Sequence, residues 1–226
     1  MSGKGKVKKE KSHKTPTFWL GVECAVLFLV LPAVLYIHPT RWNVHLGLWA
    51  VTLYALPVLR RSKGFSWRKL WHGRGWPASQ RKTAMLLFGV AVLTVIGLTL
   101  WLVPQRLFAF PMQRPFFWLL VMVLYPILSV LPQELVFRAF FFRRYESLFG
   151  SDRALIIASA FVFGFVHIVF GNAVSPILSM LGGAVFAYGY TQHRSLKWVA
   201  LEHAAYGCMV FTVGLGQYFL VGGLRP

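Results

Sequence analysis

Apolar residues occur along the chain in long blocks separated by short polar connections. A helix needs about 17 to 25 such residues to cross the hydrocarbon core of a bilayer, and each block is long enough. The blocks cover residues 17–38, 43–59, 83–104, 116–144, 154–170, 174–190 and 198–219. This pattern predicts an all-α, polytopic membrane protein with about seven transmembrane helices.

The fourth block is longer than the others and contains two prolines, Pro126 and Pro132. Proline removes a backbone hydrogen bond and tends to kink or break a helix. At membrane depth, freed carbonyl groups are tolerated where they face protein or a water-filled cavity. We therefore expect a long, kinked fourth helix whose kink, just before Gln133 and Glu134, lies beside a polar interior.

Positive charge is concentrated outside the apolar blocks. The formal net charge is +18, and the basic residues lie mainly in the tail formed by residues 1–16 and in the hydrophilic connections, such as residues 60–82. The 60–82 connection also carries Trp67, Trp71 and Trp76, a combination typical of a segment at cytoplasmic headgroups. This distribution predicts a cytoplasmic N-terminus and a C-terminus on the far side, and it argues against nucleic-acid binding, which needs a basic face on a folded domain.

The chain thus divides into a basic solvated tail, residues 1–16, and a membrane domain, residues 17–226. Only six acidic residues are present, and Glu23, Glu134 and Glu202 fall within apolar blocks, where a carboxylate is costly and usually paired or functional. Cys24 and Cys208 are far apart and form no ligand pattern, so neither a disulfide framework nor a zinc-thiolate site is expected.

Polar residues in the last four blocks fall at depths that allow them to meet. A rise of about 1.5 Å per residue puts Glu134 roughly 18 Å, His167 roughly 21 Å and His203 roughly 9 Å from the adjoining basic turns. Glu134 and Arg138 are four residues apart and can neutralise one another on one helix face. A carboxylate and an imidazole together can take a proton from water, so the combination indicates a candidate catalytic site.

At these residues the chain resembles the CAAX-protease and bacteriocin-processing family of intramembrane endopeptidases, also called the Abi family. The family's signatures are Glu-Glu-xxx-Arg, Phe-xxx-His and His-xxx-Asn on successive helices. Here they read Gln133-Glu134-Leu-Val-Phe-Arg138, Phe163-Gly-Phe-Val-His167 and His203-Ala-Ala-Tyr-Gly207. The resemblance covers residues 116–211, and it implies hydrolysis of a peptide bond by water activated with a glutamate and a histidine.

The resemblance implies that His167 holds the water and that His203 donates to the developing negative charge. The sequence departs from the family at Gln133, where the family keeps its first glutamate, and at Gly207, where it keeps asparagine. Glutamine is no useful proton acceptor, so Glu134 is the remaining candidate base, although it is turned by about 100° on an ideal helix.

Tyr206 is a candidate for the missing hydrogen-bonding group, and Asn172 is either a further site candidate or a cap of the turn after the fifth block. Glu23 is expected to pair with a basic or hydroxyl group. Glu202 adjoins His203 but faces elsewhere on the helix, so it is expected at an interface or behind the site.

No cofactor is expected, but Glu134, His167 and His203 could also bind zinc, and the sequence leaves this open. The expected partners are the lipid bilayer and a membrane-embedded or lipid-anchored peptide or protein substrate. The resemblance implies a bacterial plasma membrane. The alternative function is a non-hydrolytic family member that binds peptide or confers bacteriocin immunity, while a transporter is disfavoured because no two-fold repeat is evident.

Overall fold

A computed structural model describes residues 16–76 and 78–222, so the predicted tail lies outside the described residues except for Pro16. The described chain is helical and contains no strand. We number the helices in chain order: α1 Thr17–Ile37, α2 Arg41–Arg61, α3 Trp67–His72, α4 Ala78–Leu102, α5 Ala109–Gln113, α6 Pro115–Arg144, α7 Glu146–Phe149, α8 Asp152–Phe170, α9 Val174–His193 and α10 Leu196–Val213. Short 3-10 turns at Pro104–Arg106 and Leu215–Phe219 follow α4 and α10.

Within residues 16–76 and 78–222, five helices are long and apolar enough to span a membrane, namely α1, α2, α4, α6 and α8. Their large apolar side chains point outward in many places, as lipid contact requires; Leu46, Leu86, Leu93 and Trp101 are examples. Helices α9 and α10 complete the bundle and coincide with the last two predicted blocks. The all-α membrane fold is confirmed, and five candidate spans are compatible with the predicted count of about seven.

Helix α6 runs through both of its prolines without a break. It widens into π-helical turns at Pro126–Val130 and Leu135–Phe140, which flank a single α-helical turn, Leu131–Glu134. π-helical turns frequently occur at functional sites and are one of the identifiable causes of helix bending. The candidate residues Gln133 and Glu134 therefore lie between two local irregularities of the longest helix.

A glycine contact joins α8 to α9, and aromatic rings join α6 to α1. A Cβ atom on Gly164 of α8 would lie 2.6 Å from the Met180 Cβ of α9, so only glycine permits this approach. Phe137 and Phe141 of α6 pack edge-on against Phe28 of α1. These contacts enclose the interior in which the polar residues of α6, α8 and α10 meet.

The tryptophan-rich connection packs under one end of the bundle. The backbone N–H of Arg74 donates to the carbonyl of His193 at 2.7 Å, and the Ser195 hydroxyl donates to the carbonyl of Trp71 at 2.7 Å. The segment around α3 is thereby fixed to the turn between α9 and α10. Helix α10, which carries His203, therefore begins from a well-anchored turn.

Candidate active site

The buried carboxylate of Glu134 lies at the centre of the polar interior. Its side chain is fully buried, and its Oε1 lies 2.7 Å from Nδ1 of His203. Its Oε2 lies 3.3 Å from Nε of Arg138, one helical turn along α6. The predicted ion pair of Glu134 and Arg138 is present, and the second partner of the carboxylate is an imidazole from α10.

Arg138 is fully buried, and its two terminal nitrogens donate hydrogen bonds to three different groups. Its guanidinium donates to the Ser159 hydroxyl of α8 at 2.6 Å, to the Gly183 carbonyl of α9 at 3.3 Å and to the Phe137 carbonyl at 3.2 Å. The guanidinium carbon also lies 5.0 Å from the centre of the Phe163 ring. A buried charge is stable only with such partners, and here they join three helices behind the site.

The imidazole of His203 is held on both nitrogens. Because the Glu134 carboxylate can only accept, we assign a proton to Nδ1 of His203. Nε2 lies 3.1 Å from the hydroxyl of Tyr125 on α6. The ring also stacks on Phe186 with centroids 4.8 Å apart, so its orientation is fixed by packing as well as by hydrogen bonds.

His167 lies in the 3-10 turn that ends α8, and only one of its nitrogens is bonded to the backbone. Its Nδ1 is 2.6 Å from the carbonyl oxygen of Phe163. A carbonyl accepts, so the proton of the neutral ring is on Nδ1 and the lone pair is on Nε2. His167 is half-buried and can accept a proton or a hydrogen bond from a molecule beside it.

A cavity of about 760 Å³ lies between the helices and is lined mainly by apolar side chains of α1, α2, α4, α6 and α8 to α10. The polar groups at its wall include Gln133, His167, His203 and Tyr125. Glu134 and Arg138 do not line it, since they lie behind His203. Both imidazoles therefore face one apolar chamber, while the charged pair supports one of them from the protein side.

Gln133 lies at the cavity wall, and it occupies the position at which the family resemblance implies a glutamate. Its Nε2 donates to the Ser129 hydroxyl at 2.7 Å. Its Oε1 is buried and has no hydrogen-bond partner among the described residues. A buried amide oxygen without a partner is uncommon and is satisfied readily by water. The side chain can thus hold a water molecule, although it cannot take a proton from it.

The two supporting candidates from the sequence lie in different surroundings. The hydroxyl of Tyr206 has no partner among the described residues, and its ring packs edge-on against Phe88 and Phe186. The side chain of Asn172 accepts from the Ser175 N–H at 2.9 Å and donates to the Tyr218 carbonyl at 2.8 Å. Asn172 caps the start of α9 and is absent from the cavity lining.

Tyr125 is the residue of this site that sequence reasoning missed. It lies in an apolar stretch beside Pro126, where an aromatic residue usually packs against lipid or protein. The one available signal was its position in the same proline-containing helix as Gln133 and Glu134. The contact with His203 joins residues 78 positions apart and follows only from the folding of α10 against α6.

The other two intramembrane carboxylates lie away from the cavity. Glu23 forms two hydrogen bonds with the Arg144 guanidinium at 2.9 and 2.6 Å and accepts from the Tyr145 hydroxyl at 3.0 Å, which confirms the expected structural pairing. Glu202 is buried, and its Oε2 has no hydrogen-bond partner within the described chain. It faces Gly189, whose Cβ, if present, would lie 3.0 Å from that oxygen.

Metal binding was left open by the sequence. Among residues 16–76 and 78–222, no group of three or more His, Cys, Asp and Glu side chains has the spacing of a metal site. Glu134, His167 and His203, which are all described, do not form such a group. The expected absence of a cofactor stays a prediction.

One comparison with known proteins finds a match. A family model described as type II CAAX prenyl endopeptidase Rce1-like covers residues 114–209, which include both imidazoles, the buried ion pair and Gly207. No curated protein and no solved structure matches the chain. The matched range agrees with the family resemblance of residues 116–211. Residues 114–209 of this integral membrane protein are therefore similar to the Rce1-like family of type II CAAX prenyl endopeptidases.

Proposed function

We propose that the protein is an intramembrane endopeptidase that hydrolyses a peptide bond in a membrane-embedded or lipid-anchored peptide. The single observation that carries this proposal is that His167 and a carboxylate-supported imidazole, His203, line one apolar cavity inside a helix bundle. An apolar cavity suits a substrate that arrives through the bilayer. The family name further supports a prenylated peptide of CAAX type as the substrate.

In the proposed mechanism, a water molecule is held by the lone pair on Nε2 of His167 and by Oε1 of Gln133. His167 accepts a proton from this water as the oxygen attacks the peptide carbonyl. The proton then passes from His167 to the leaving amine, so the ring returns to its starting state. His203 lines the same cavity, and the Glu134 carboxylate behind it accepts the Nδ1–H hydrogen bond that orients the ring.

This division of roles gives Glu134 a supporting position. The carboxylate is fully buried, ion-paired with Arg138 and hydrogen-bonded to His203, whereas a base must reach the water that it deprotonates. Glu134 therefore acts through His203, as a carboxylate orients an imidazole in a catalytic triad. Arg138 is the ion-pair partner of the carboxylate and joins it to α8 and α9.

Purified protein in liposomes tests the proposal with a quenched fluorescent peptide that ends in a prenylated CAAX sequence. We expect cleavage by the native protein and its loss in His167→Ala and in His203→Ala, each checked for folding by thermal unfolding. Tyr188→Phe, on the exposed face of α9, is the control. Addition of a chelator is expected to leave the rate unchanged. Cleavage that continues in both histidine variants would refute the mechanism.

A second function is favoured by Gln133, because an amide in place of the family's first glutamate cannot take a proton. In that case the same cavity binds a peptide or partner protein without cutting it, as an immunity protein does. A cellular phenotype that survives both Glu134→Gln and His167→Ala, but not deletion of the protein, would support this function over proteolysis.

A further inference from the structure

The phenol of Tyr125 occupies a defined place between α6 and α10. Its hydroxyl lies 3.1 Å from Nε2 of His203, and the two rings meet edge-on with centroids 6.1 Å apart. The ring of Phe211 also packs edge-on against the phenol, with centroids 5.3 Å apart. Tyr125 also lines the cavity, so its hydroxyl is next to both the imidazole and the space for substrate.

Gly207 makes room for this phenol. A Cβ atom on Gly207 would lie 2.2 Å from the Tyr125 hydroxyl oxygen and 2.4 and 2.5 Å from two of its ring carbons. Such distances are impossible between nonbonded heavy atoms, so a side chain at position 207 and the phenol in its present position exclude one another. Gly207 is four residues after His203, on the same face of α10.

We infer that Tyr125 is a catalytic residue of this site and that its hydroxyl donates to the carbonyl oxygen of the scissile peptide. The absence of a side chain at Gly207 leaves the space that the phenol occupies. The inference rests on the proposed endopeptidase function. It also gives a physical account of Gly207: the hydrogen-bonding group comes from α6 instead of from position 207.

The hydrogen-bond chain runs from Glu134 through His203 to Tyr125. In the neutral ring, Nδ1–H donates to Glu134 and Nε2 accepts from the Tyr125 hydroxyl. When the substrate is bound, the hydroxyl turns its hydrogen from Nε2 of His203 to the carbonyl oxygen, so one hydrogen bond replaces another. No covalent bond changes in this step, and no proton has to be supplied.

The sharpest test is Tyr125→Phe, which keeps the ring against Phe211 and removes only the hydroxyl. In the liposome assay with the quenched prenylated peptide, we expect kcat to fall by about 100- to 1000-fold, as for loss of one oxyanion donor, while KM stays near its native value. Tyr188→Phe removes a hydroxyl from an exposed position and is expected to leave kcat unchanged. A Tyr125→Phe variant with native kcat would overturn the inference.

Gly207→Ala tests whether the phenol of Tyr125 depends on the space beside Gly207. It is expected to displace the phenol and to lower kcat about as much as Tyr125→Phe does. In a Tyr125→Ala background the ring is gone, so Gly207→Ala is expected to cause no further loss, a non-additivity typical of residues in contact. Gly97→Ala, where no atom lies within 4 Å of the added Cβ, is the matched control. If the decreases in kcat from Tyr125→Ala and Gly207→Ala are additive, Gly207 does not act by making room for Tyr125.

The two proposals fail in different ways. If His167→Ala and His203→Ala abolish cleavage but Tyr125→Phe and Gly207→Ala do not, the endopeptidase function stands and the role of Tyr125 is refuted. If the histidine variants cleave normally, or if the native protein cleaves nothing, the proposed function is refuted and the role of Tyr125 with it. Thermal unfolding of each variant separates loss of catalysis from loss of fold.

Discussion

Glu134 contacts two cationic or protonatable partners, so its removal changes more than one interaction. It touches His203 at 2.7 Å and Arg138 at 3.3 Å, and no part of it is exposed. Removing one member of a buried ion pair leaves the other charge uncompensated, at a cost of about 3 to 5 kcal/mol. Loss of activity in a Glu134 variant therefore has meaning only together with a stability measurement.

We predict that Glu134→Gln abolishes cleavage and lowers stability by about 3 to 5 kcal/mol, because Arg138 is left as an unpaired buried charge. The double variant Glu134→Gln with Arg138→Met removes both charges and is expected to recover most of the stability without recovering cleavage. Chemical unfolding in detergent and the liposome assay measure the two quantities. A stable double variant that cleaves at the native rate would show that Glu134 serves only as the partner of Arg138.

Gln133 provides the second prediction at the residue scale. A glutamate at this position can still accept from Ser129 and from water, so Gln133→Glu is expected to keep cleavage at the native rate or above it. The initial rate in the liposome assay checks this outcome. If the native protein is inactive and only Gln133→Glu cleaves, the native chain is a disarmed protease and the binding function takes precedence.

At the scale of the elements, α8 and α9 approach one another at Gly164. A Cβ atom on this glycine would lie 2.6 Å from Met180 Cβ and 2.8 Å from the Pro176 carbonyl oxygen. Small residues permit such close contacts between membrane helices. Since Gly164 lies only three residues before His167, this contact also fixes the end of α8 that carries the candidate base.

We predict that Gly164→Ala lowers the free energy of unfolding by about 1 to 3 kcal/mol, because the added methyl group forces α8 away from α9. The same displacement is expected to reduce cleavage. The midpoint of thermal unfolding in detergent and the liposome assay measure the two effects. Gly97→Ala, on an exposed face of α4, is expected to change neither. Equal midpoints for the two variants would show that the interface yields without strain.

For the whole molecule, orientation in the membrane follows from charge. The basic connection around Trp67 to Arg74 is expected on the cytoplasmic side together with the N-terminus. A reporter that fluoresces only in the cytoplasm is predicted to work when fused at Arg74 and to fail when fused after Pro226, which lies outside the described residues. The reverse pattern at either position would show that the number of spans between these points differs from the prediction.

The sequence by itself determined that this protein lies in a lipid bilayer and which segments form its membrane-spanning helices. Apolar blocks with most of the basic residues between them predict membrane-spanning helices, and α1, α2, α4, α6 and α8 match them, because every backbone group in a bilayer must be satisfied within its own helix. The i,i+4 spacing of Glu134 and Arg138 likewise predicts their ion pair, since that contact is local.

Only the tertiary structure decided which polar atoms meet and which face the cavity. The contacts of Glu134 with His203 and of Tyr125 with His203 join α6 to α10, and they depend on how two distant helices pack. The same packing leaves Gln133 at the cavity and Glu134 behind it, although the two residues are neighbours in sequence. The helical repeat gives the angle between the Gln133 and Glu134 side chains around α6. The packing of the surrounding helices determines which of the two side chains faces the cavity.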